Sequence, residues 1–544
     1  MKIPRPYQYD MIRRLKKDNS VLVGADMGTG KTLVAVEMFR SIEPPQRILV
    51  IAPVNTHSQW MATAAEQFPS LAGSPYLRKV GTHQKDPDGW KAITSKKPGV
   101  FIVGWEAMRG DLPVDIRRAH TTKAKKNPDI TVEAIKQGMK DGHIPPWNRA
   151  GKWDLVVLDE SHRIQNRYSL NKKVVAQIKA DRKVAMSGTP AGNKPEGLWS
   201  TINWLWPRLY SSFTRWTEQY MVFEEKKIGR DQVVKVIVGE GKPGEAWRDL
   251  PNAVRVRLED IGVHLPEVIE RTVYVSMGRE QRRIYEELED QALAWIDEQP
   301  YAVPLPIVQR TRLRQASLGE LKVVDSTKRK ELWALRRDVG KTRVTLADED
   351  YNEYTGRVVK VLTDEDGGQV VPVLFEYETK EFVFREKVTN HKIQAIEDII
   401  GDLPEGEPVL VFTHSAQWAR KAAYELSRAR LGEVRAWTGD LTPKQRETLK
   451  GEFGKSVRVM VAVIQAVAEG IDGWQGVCRY EIWASKSDTG LLNEQAKARL
   501  HRPGQKSPVQ RWLVHSENSI DDGVEERLAV RRRQMKAMYG DNKK

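Results

Sequence analysis

The sequence predicts an α/β chain with two doubly wound parallel-sheet lobes, a helical stretch between them and a small antiparallel β insertion. The first observation behind this is a recurring apolar run. Val21-Leu22-Val23, Arg47-Ile48-Leu49-Val50-Ile51-Ala52-Pro53, Phe101-Ile102-Val103 and Leu155-Val156-Val157-Leu158 alternate with helical patterns, as buried parallel strands do. The second is the return of that rhythm after His391, in Val409-Leu410-Val411-Phe412 and Val457-Arg458-Val459-Met460-Val461-Ala462-Val463. The third is a change of period between Gly340 and Asn390, where alternating stretches flank Gly367-Gly368 as in a β-hairpin.

A chain of 544 residues can bury more than one core, and 40% hydrophobic with 30% charged residues is a globular composition. No apolar run approaches the ~18 residues of a membrane span, and Met1–Pro6 holds no apolar stretch of the signal-peptide kind. The expectation is a cytoplasmic protein that uses no membrane. Cys478 is the single cysteine, which excludes an internal disulfide and a cysteine-built metal site. The formal net charge of +15 points to a polyanionic partner, with nucleic acid the leading candidate.

The first strand runs into Ala25-Asp26-Met27-Gly28-Thr29-Gly30-Lys31-Thr32, followed by the amphipathic segment Leu33–Phe39. Strand, glycine-bearing turn and helix make a phosphate loop: Gly28 and Gly30 let backbone N–H groups around Thr29 converge on an anion, and the helix start adds positive charge. Lys31 would reach the β- and γ-phosphates of ATP, and the Thr32 hydroxyl would ligate Mg²⁺. Ala25 stands where the first glycine is usual, so the loop alone also reads as a structural turn. Upstream, the helical pattern opening at Arg5-Pro6-Tyr7-Gln8 offers the Gln8 amide, which can pair with both a donor and an acceptor on an adenine edge.

The strand Leu155–Leu158 leads straight into Asp159-Glu160-Ser161-His162, placing two carboxylates at the carboxyl end of a parallel strand. Asp159 could hold Mg²⁺ through water while Glu160 orients or deprotonates the attacking water. His162 reads equally as a linker between sites or as a satisfied polar residue. Val184-Ala185-Met186-Ser187-Gly188-Thr189-Pro190 ends another strand in a hydroxyl-and-glycine turn suited to sensing a γ-phosphate. Far downstream, Asn493-Glu494-Gln495-Ala496-Lys497-Ala498-Arg499-Leu500-His501-Arg502-Pro503-Gly504-Gln505 places Arg499 and Arg502 three apart, on one face of an expected helix. Two always-charged planar guanidinia suit a phosphoryl transition state, although a basic helix is common.

The phosphate loop, Asp159–His162 and Ser187–Pro190 together resemble superfamily 2 helicases, specifically their Swi2/Snf2 branch. The stretches Arg255–Leu258, His264-Leu265-Pro266 and Tyr274–Met277 with Gln281 and Tyr285 resemble the segment joining the two lobes in that family. Arg312-Leu313-Arg314-Gln315-Ala316 is similar to its helical protrusion, Gln495 to Gln505 to its sixth motif, and the Asp-Glu-Ser-His form to the annealing-helicase subgroup. The resemblance implies RecA-like lobes: lobe 1 over 1–210 with a basic insertion at about 110–152, an inter-lobe segment and protrusion over 211–335, the β insertion over 336–390, and lobe 2 with a basic tail over 391–544. Ala468-Glu469-Gly470-Ile471-Asp472-Gly473 is similar to the fifth motif, which couples DNA and nucleotide, and implies a nucleotide-side place for Gly470; a plain turn is the other reading. Val463 and Ile464 stand where that motif usually has a hydroxyl, so no such contact carries over.

The expected function is DNA-stimulated ATP hydrolysis with Mg²⁺, in which closure of two lobes drives translocation on, or remodelling of, double-stranded or branched DNA. A strand-separating helicase, an RNA-dependent motor and an ATP-gated clamp are the alternatives. The absence of a recognisable chromatin-reading appendage and the early position of Gln8 favour a bacterial or viral motor.

Overall fold

The structure is a computed structural model describing residues 2–41, 46–110, 129–228, 232–290, 293–296, 299–302, 306–345, 353–362, 370–467 and 473–540. Gly470, the Lys123–Lys126 cluster and Gly367-Gly368 lie outside the described residues.

In the first lobe the strands are β1 (Ser20–Ala25), β2 (Arg47–Ala52), β3 (Leu77–Val80), β4 (Gly99–Gly104), β5 (Lys152–Asp159) and β6 (Lys179–Ser187). A hairpin of β7 (Met221–Ile228) and β8 (Gln232–Glu240) follows, then β9 (Ala253–Val256). The sheet runs β3-β4-β2-β5-β6-β1-β9, with every pairing parallel. Because side chains alternate faces along a strand, the continuous apolar runs fill two layers. Leu22, Leu49, Ile51, Val156 and Leu158 enter one core, while Val21, Val23, Ile48, Val50, Leu155 and Val157 enter the other.

After β10 (Val268–Val275) come β11 (Leu293–Ile296), β12 (Gln299–Ala302), β13 (Leu321–Leu335), β14 (Arg343–Thr345), β15 (Glu353–Thr355), β16 (Arg357–Val361) and β17 (Val370–Phe384). The second lobe adds β18 (Val409–Thr413), β19 (Val434–Trp437), β20 (Val459–Val463), β21 (Tyr480–Trp483) and β22 (Val509–Ser516). Its parallel sheet has the order β10-β22-β21-β18-β20-β19. Two segments between the lobes thus complete the sheets on either side, β9 in the first and β10 in the second. Helices Arg279–Asp290 and Pro306–Ala316 pack through Ile284, Tyr285, Leu288, Leu313 and Ala316 into the core of the second lobe.

The antiparallel module is built on β13 and β17, which pair without a break from Leu321↔Phe384 to Leu335↔Val370, with β16 on the far side of β17. Its first strand begins at Leu321, well before the expected 336. The charged run Lys328-Arg329-Lys330-Glu331 conceals the strand period, because Glu376 of β17 takes Arg329 at 2.7 Å and Lys328 pairs with Glu381 at 2.6 Å. The hairpin β7–β8 falls within the stretch 211–335, where the sequence pattern points to a helical segment.

The helix Ile520–Met538 connects the lobes. Near its start Asp521 pairs with the buried Lys392 of the second lobe at 2.7 Å. Its last residue, Met538, and the following Tyr539 enter the first lobe's core, where the Tyr539 hydroxyl accepts the Ala191 N–H at 2.9 Å.

Candidate nucleotide site

Three neighbouring strands deliver the site. β5, β6 and β1 lie side by side, with Asp159 opposite Met186 and Ser187 opposite Gly24. Their carboxyl ends therefore gather Asp159-Glu160, Ser187-Gly188-Thr189 and the loop Ala25–Thr32 along one edge of the sheet, where open α/β sheets take ligands.

In the loop, Gly28 and Gly30 adopt φ of 85° and 78°, conformations a side chain disfavours. The helix Lys31–Met38 starts directly behind Gly30, so its first amide N–H groups and the positive end of its dipole are available to an anion. Lys31 Nζ donates to the carbonyls of Ala25 at 2.8 Å and Asp26 at 3.1 Å. Thr29 is buried, and its hydroxyl donates to the Asp26 carbonyl at 2.8 Å. From the first helix, Pro6–Lys17, Tyr7 Oη and Gln8 Nε2 both donate to the Thr29 carbonyl, at 2.8 and 3.1 Å. Gln8 is buried against Gly30, and its Oε1 accepts the Arg5 N–H at 2.8 Å. One N–H and one lone pair of that amide are still available for pairing with a base.

Glu160 has left-handed backbone angles, φ 54° and ψ 52°, uncommon for any residue but glycine or asparagine. The turn brings its carboxylate to β6: Ser187 Oγ lies 3.3 Å from Glu160 Oε2, and His162 Nδ1 lies 3.0 Å from Ser187 Oγ and 3.2 Å from Glu160 Oε2. His162 is thus a buried polar residue whose bonds to Ser187 and Glu160 both lie within this site. Burial and the charge of Glu160 raise the Asp159 carboxyl above its ordinary range, partly offset by the Trp60 hydrogen bond and by Lys31. Burial also opposes ionisation of Glu160, but His162, Lys31 and Ser187 outweigh it and hold this carboxyl below its ordinary range. The two acids are thus driven apart in proton affinity, with Glu160 the more acidic member.

The second lobe faces this edge. A cavity of about 500 Å³ between the lobes is lined by Asp26, Met27 and Thr189 from one side and His501 and Arg502 from the other. Pro503 packs on Gly28. The shared helical face expected for Arg499 and Arg502 is not formed. The helix Gly490–Lys497 ends first, and the chain passes through turns in which Leu500 is fully buried in the lobe core, before Pro503, which has no N–H to continue a helix. Arg502 lines the cavity; Arg499 is buried within its own lobe, Nε donating to the Gln495 carbonyl at 3.0 Å. Leu491 N–H reaches across to Asn193 Oδ1 of the first lobe at 3.2 Å.

Against known proteins, the profile of the SNF2-related domain matches residues 10–330, more than half of the chain. The chain belongs to the SNF2-related family. The human lymphoid-specific helicase is 21% identical over 553 aligned residues, covering 96% of this chain and 60% of that protein. The bovine DNA annealing helicase and endonuclease ZRANB3 is 24% identical over 228 residues, covering 41% of this chain and 18% of that protein. The chain thus spans less than two thirds of the length of these curated relatives. A solved Sulfolobus solfataricus SWI2/SNF2 ATPase core in complex with double-stranded DNA aligns with 99% of this chain and 94% of its own, at 18% identity and a TM-score of 0.35.

In this SNF2-related chain the donor set fits a nucleotide-borne divalent cation. Among the described residues no group of three or more His, Cys, Asp or Glu could hold a metal alone. Thr32 and Asp159 supply oxygen only, the chemistry Mg²⁺ prefers, and phosphate oxygens and water complete such a shell. Each Asp159 oxygen receives one protein donor, Oδ2 from Trp60 Nε1 at 3.0 Å and Oδ1 from the Glu160 N–H at 3.1 Å, and keeps lone-pair capacity for a water ligand. Among the described residues no helix is long and apolar enough to cross a membrane.

Sequence reasoning missed three contributors. Arg255 bridges three parts of the site, pairing with Asp26 at 3.0 Å and donating to the Gly24 and Gly188 carbonyls at 3.2 and 3.4 Å. Trp60 and Trp105 contact Asp159 from elements distant in sequence. Trp105 directly follows β4, whereas Trp60 lies within the helix His57–Gln67, and no local pattern marks either as a partner of Asp159.

Proposed function

We propose that this protein is a DNA-stimulated ATP hydrolase in which ATP, held between the lobes, couples their closure to movement on, or remodelling of, double-stranded or branched DNA. The observation that carries the reading is the apposition of Arg502 and Pro503 of the second lobe to the phosphate loop of the first. Gln8 pairs with the base, and the N–H groups of Gly28, Thr29 and Gly30 hold the phosphates. Lys31 leaves its two loop carbonyls for the β- and γ-phosphate oxygens. Thr32 and, through water, Asp159 would hold Mg²⁺, which when bound would neutralise charge on the phosphate oxygens. Glu160, kept ionised, accepts a proton from the attacking water, and His162 and Ser187 fix its orientation. Arg502 meets the charge developing on the transferred phosphoryl group, and Arg499 supports that end of the chain from inside the lobe.

An arginine in one lobe and a phosphate loop in the other tie turnover to domain motion. The charge of +15 supports a phosphate-backbone track, bound with strong salt dependence and little sequence preference. The test is phosphate release measured with duplex DNA, branched DNA, single strands, RNA and no nucleic acid. Stimulation by duplex or branched DNA is expected, with Glu160→Gln abolishing turnover while ATP still binds. A Glu160→Gln chain that hydrolyses ATP at the parent rate would overturn the assignment, and stimulation by RNA alone would replace the track.

A further inference from the structure

We infer that Trp60 is a positioning residue for the cation side of the nucleotide site, holding the Asp159 carboxylate through its indole N–H. This rests on the ATPase reading above and adds a residue to it. Trp60 lies on the helix His57–Gln67, 99 residues from Asp159, and is 1% exposed. Its Nε1 donates to Asp159 Oδ2 at 3.0 Å, with both side chains buried. From the opposite layer of the sheet, Trp105, which follows β4 and is fully buried, donates its Nε1 to the Asp159 backbone carbonyl at 3.1 Å. Trp60 belongs to one core of the first lobe and Trp105 to the other. Asp159 is thus held between the two layers, its carbonyl from one and its carboxylate from the other.

Several features make this more than core filling. Other buried tryptophans of the first lobe are treated differently: the indole nitrogens of Trp90 and Trp147 donate to the backbone carbonyls of Gly81 and Met108, and those of Trp153, Trp199, Trp204 and Trp216 have no acceptor among the described residues. Burial in this lobe thus does not by itself bring an indole a partner, and Trp60 takes a carboxylate where Trp90 and Trp147 take backbone carbonyls. An indole has two side-chain torsions and a rigid ring, so a ring packed on all sides fixes the direction of its N–H closely. The acceptor is the carboxylate whose second oxygen takes the Glu160 N–H at 3.1 Å. With each oxygen assigned one donor, the carboxylate plane is set, and the remaining lone pairs point in defined directions for a water-bridged cation. A carboxylate free to rotate would meet the same cation at an entropic cost.

The test compares Trp60→Phe, a ring without a donor, with Trp60→His, a smaller ring that keeps an N–H. Binding of a fluorescent ATP analogue is titrated with and without Mg²⁺, alongside kcat, KM and thermal melting. The expected result is nucleotide affinity without Mg²⁺ within about twofold of the parent in both variants. The affinity gained on adding Mg²⁺ should fall about fivefold or more in Trp60→Phe, and less in Trp60→His despite its poorer packing. Loss of kcat with little change in KM should accompany it. A tryptophan that merely fills space predicts the reverse order, and that outcome overturns the inference. In an Asp159→Asn background, Trp60→Phe should change the Mg²⁺ dependence no further; an undiminished additional effect also overturns it. If Trp60→Phe does not fold, the Trp60→His chain decides, supporting the inference when its Mg²⁺ dependence stays within about threefold of the parent and refuting it otherwise. A parent chain that binds no nucleotide overturns the ATPase reading itself, whereas a parent that binds it with Trp60→Phe unaltered overturns only the role of Trp60.

Discussion

Pro503 of the second lobe packs against Gly28 of the phosphate loop: a Cβ on Gly28 would stand 2.9 Å from both Cγ and Cδ of the proline ring. Gly28 also has φ of 85°. Gly28→Ala thus carries two separate penalties, about 1–2 kcal/mol for the left-handed backbone and a clash that separates the lobes. ATP turnover is expected to fall at least tenfold. Adding Pro503→Ala relieves the clash but not the backbone strain, so the double variant should recover part of the loss in a steady-state phosphate-release assay. No recovery would show that the contact between lobes is unimportant to turnover.

The Tyr539 hydroxyl accepts the N–H of Ala191, 348 residues away, while its ring meets Trp247 edge-on at 5.3 Å and carries Arg255 at 5.1 Å. Tyr539→Phe leaves a buried N–H without its acceptor, a cost of about 1–3 kcal/mol readable by denaturant titration. Tyr539→Ala removes the ring as well and should free the end of the helix Ile520–Met538 from the first lobe. Trypsin is then expected to cut at Arg531-Arg532-Arg533 several times faster than in the parent. Equal cleavage rates would mean that the helix is held by its other contacts alone.

Lys172 is buried, with Nζ donating to Asn203 Oδ1 at 2.8 Å. Burial, reinforced by the charges of Lys183 and Lys173, pushes its ammonium down to about 7 from 10.5. The folded pKa therefore lies below the unfolded one. As pH falls from 10.5 towards 7, the unfolded chain takes up a proton that the folded chain refuses, so stability is lost across that window and levels off below it. Lys172→Gln keeps a donor for Asn203 and removes the charge. It should stabilise the protein at pH 7 by roughly 1–3 kcal/mol and flatten the stability curve between pH 7 and 10. An unchanged slope in denaturant titrations at several pH values would refute this.

The two sheets were legible in the sequence because parallel strands covered on both faces must be continuous apolar runs, as in Leu155–Leu158 and Val409–Phe412. The site was legible for a related reason: strand ends and the chemistry they carry are adjacent in sequence, so Asp159 and Ser187 could be placed without knowing the packing. What remained hidden depends on distant partners. Arg255 reaches Gly24 across 231 residues, and Trp60 reaches Asp159 across 99, with no local pattern announcing either. The end of the helix at Lys497 was hidden because Ala498-Arg499-Leu500 is good helix-forming sequence, and it is the burial of Leu500 that turns the chain. In β13 the charges of Lys328–Glu331 masked the period, and the partners of Lys328 and Arg329, Glu381 and Glu376, lie on β17.

That early helix end separates Arg502 from Arg499 and gives them different expected phenotypes. Arg502 lines the cavity shared with Asp26 and Met27, so Arg502→Ala should leave folding and ATP binding near parent levels and lower kcat by about 10³ or more, the range for an arginine that meets a phosphoryl transition state. Arg502→Lys keeps the charge but not the planar fork, and should recover only part of the rate. Arg499 is 7% exposed and bonded to the Gln495 carbonyl of its own lobe. Arg499→Ala leaves a buried carbonyl without this donor and opens space in the core, so lower thermal stability should accompany any loss of rate. Melting curves measured beside single-turnover hydrolysis separate the two cases. If Arg499→Ala melts with the parent yet loses as much rate as Arg502→Ala, both arginines reach the phosphate when the lobes close, and the side chain of Arg499 must leave its present place to do so.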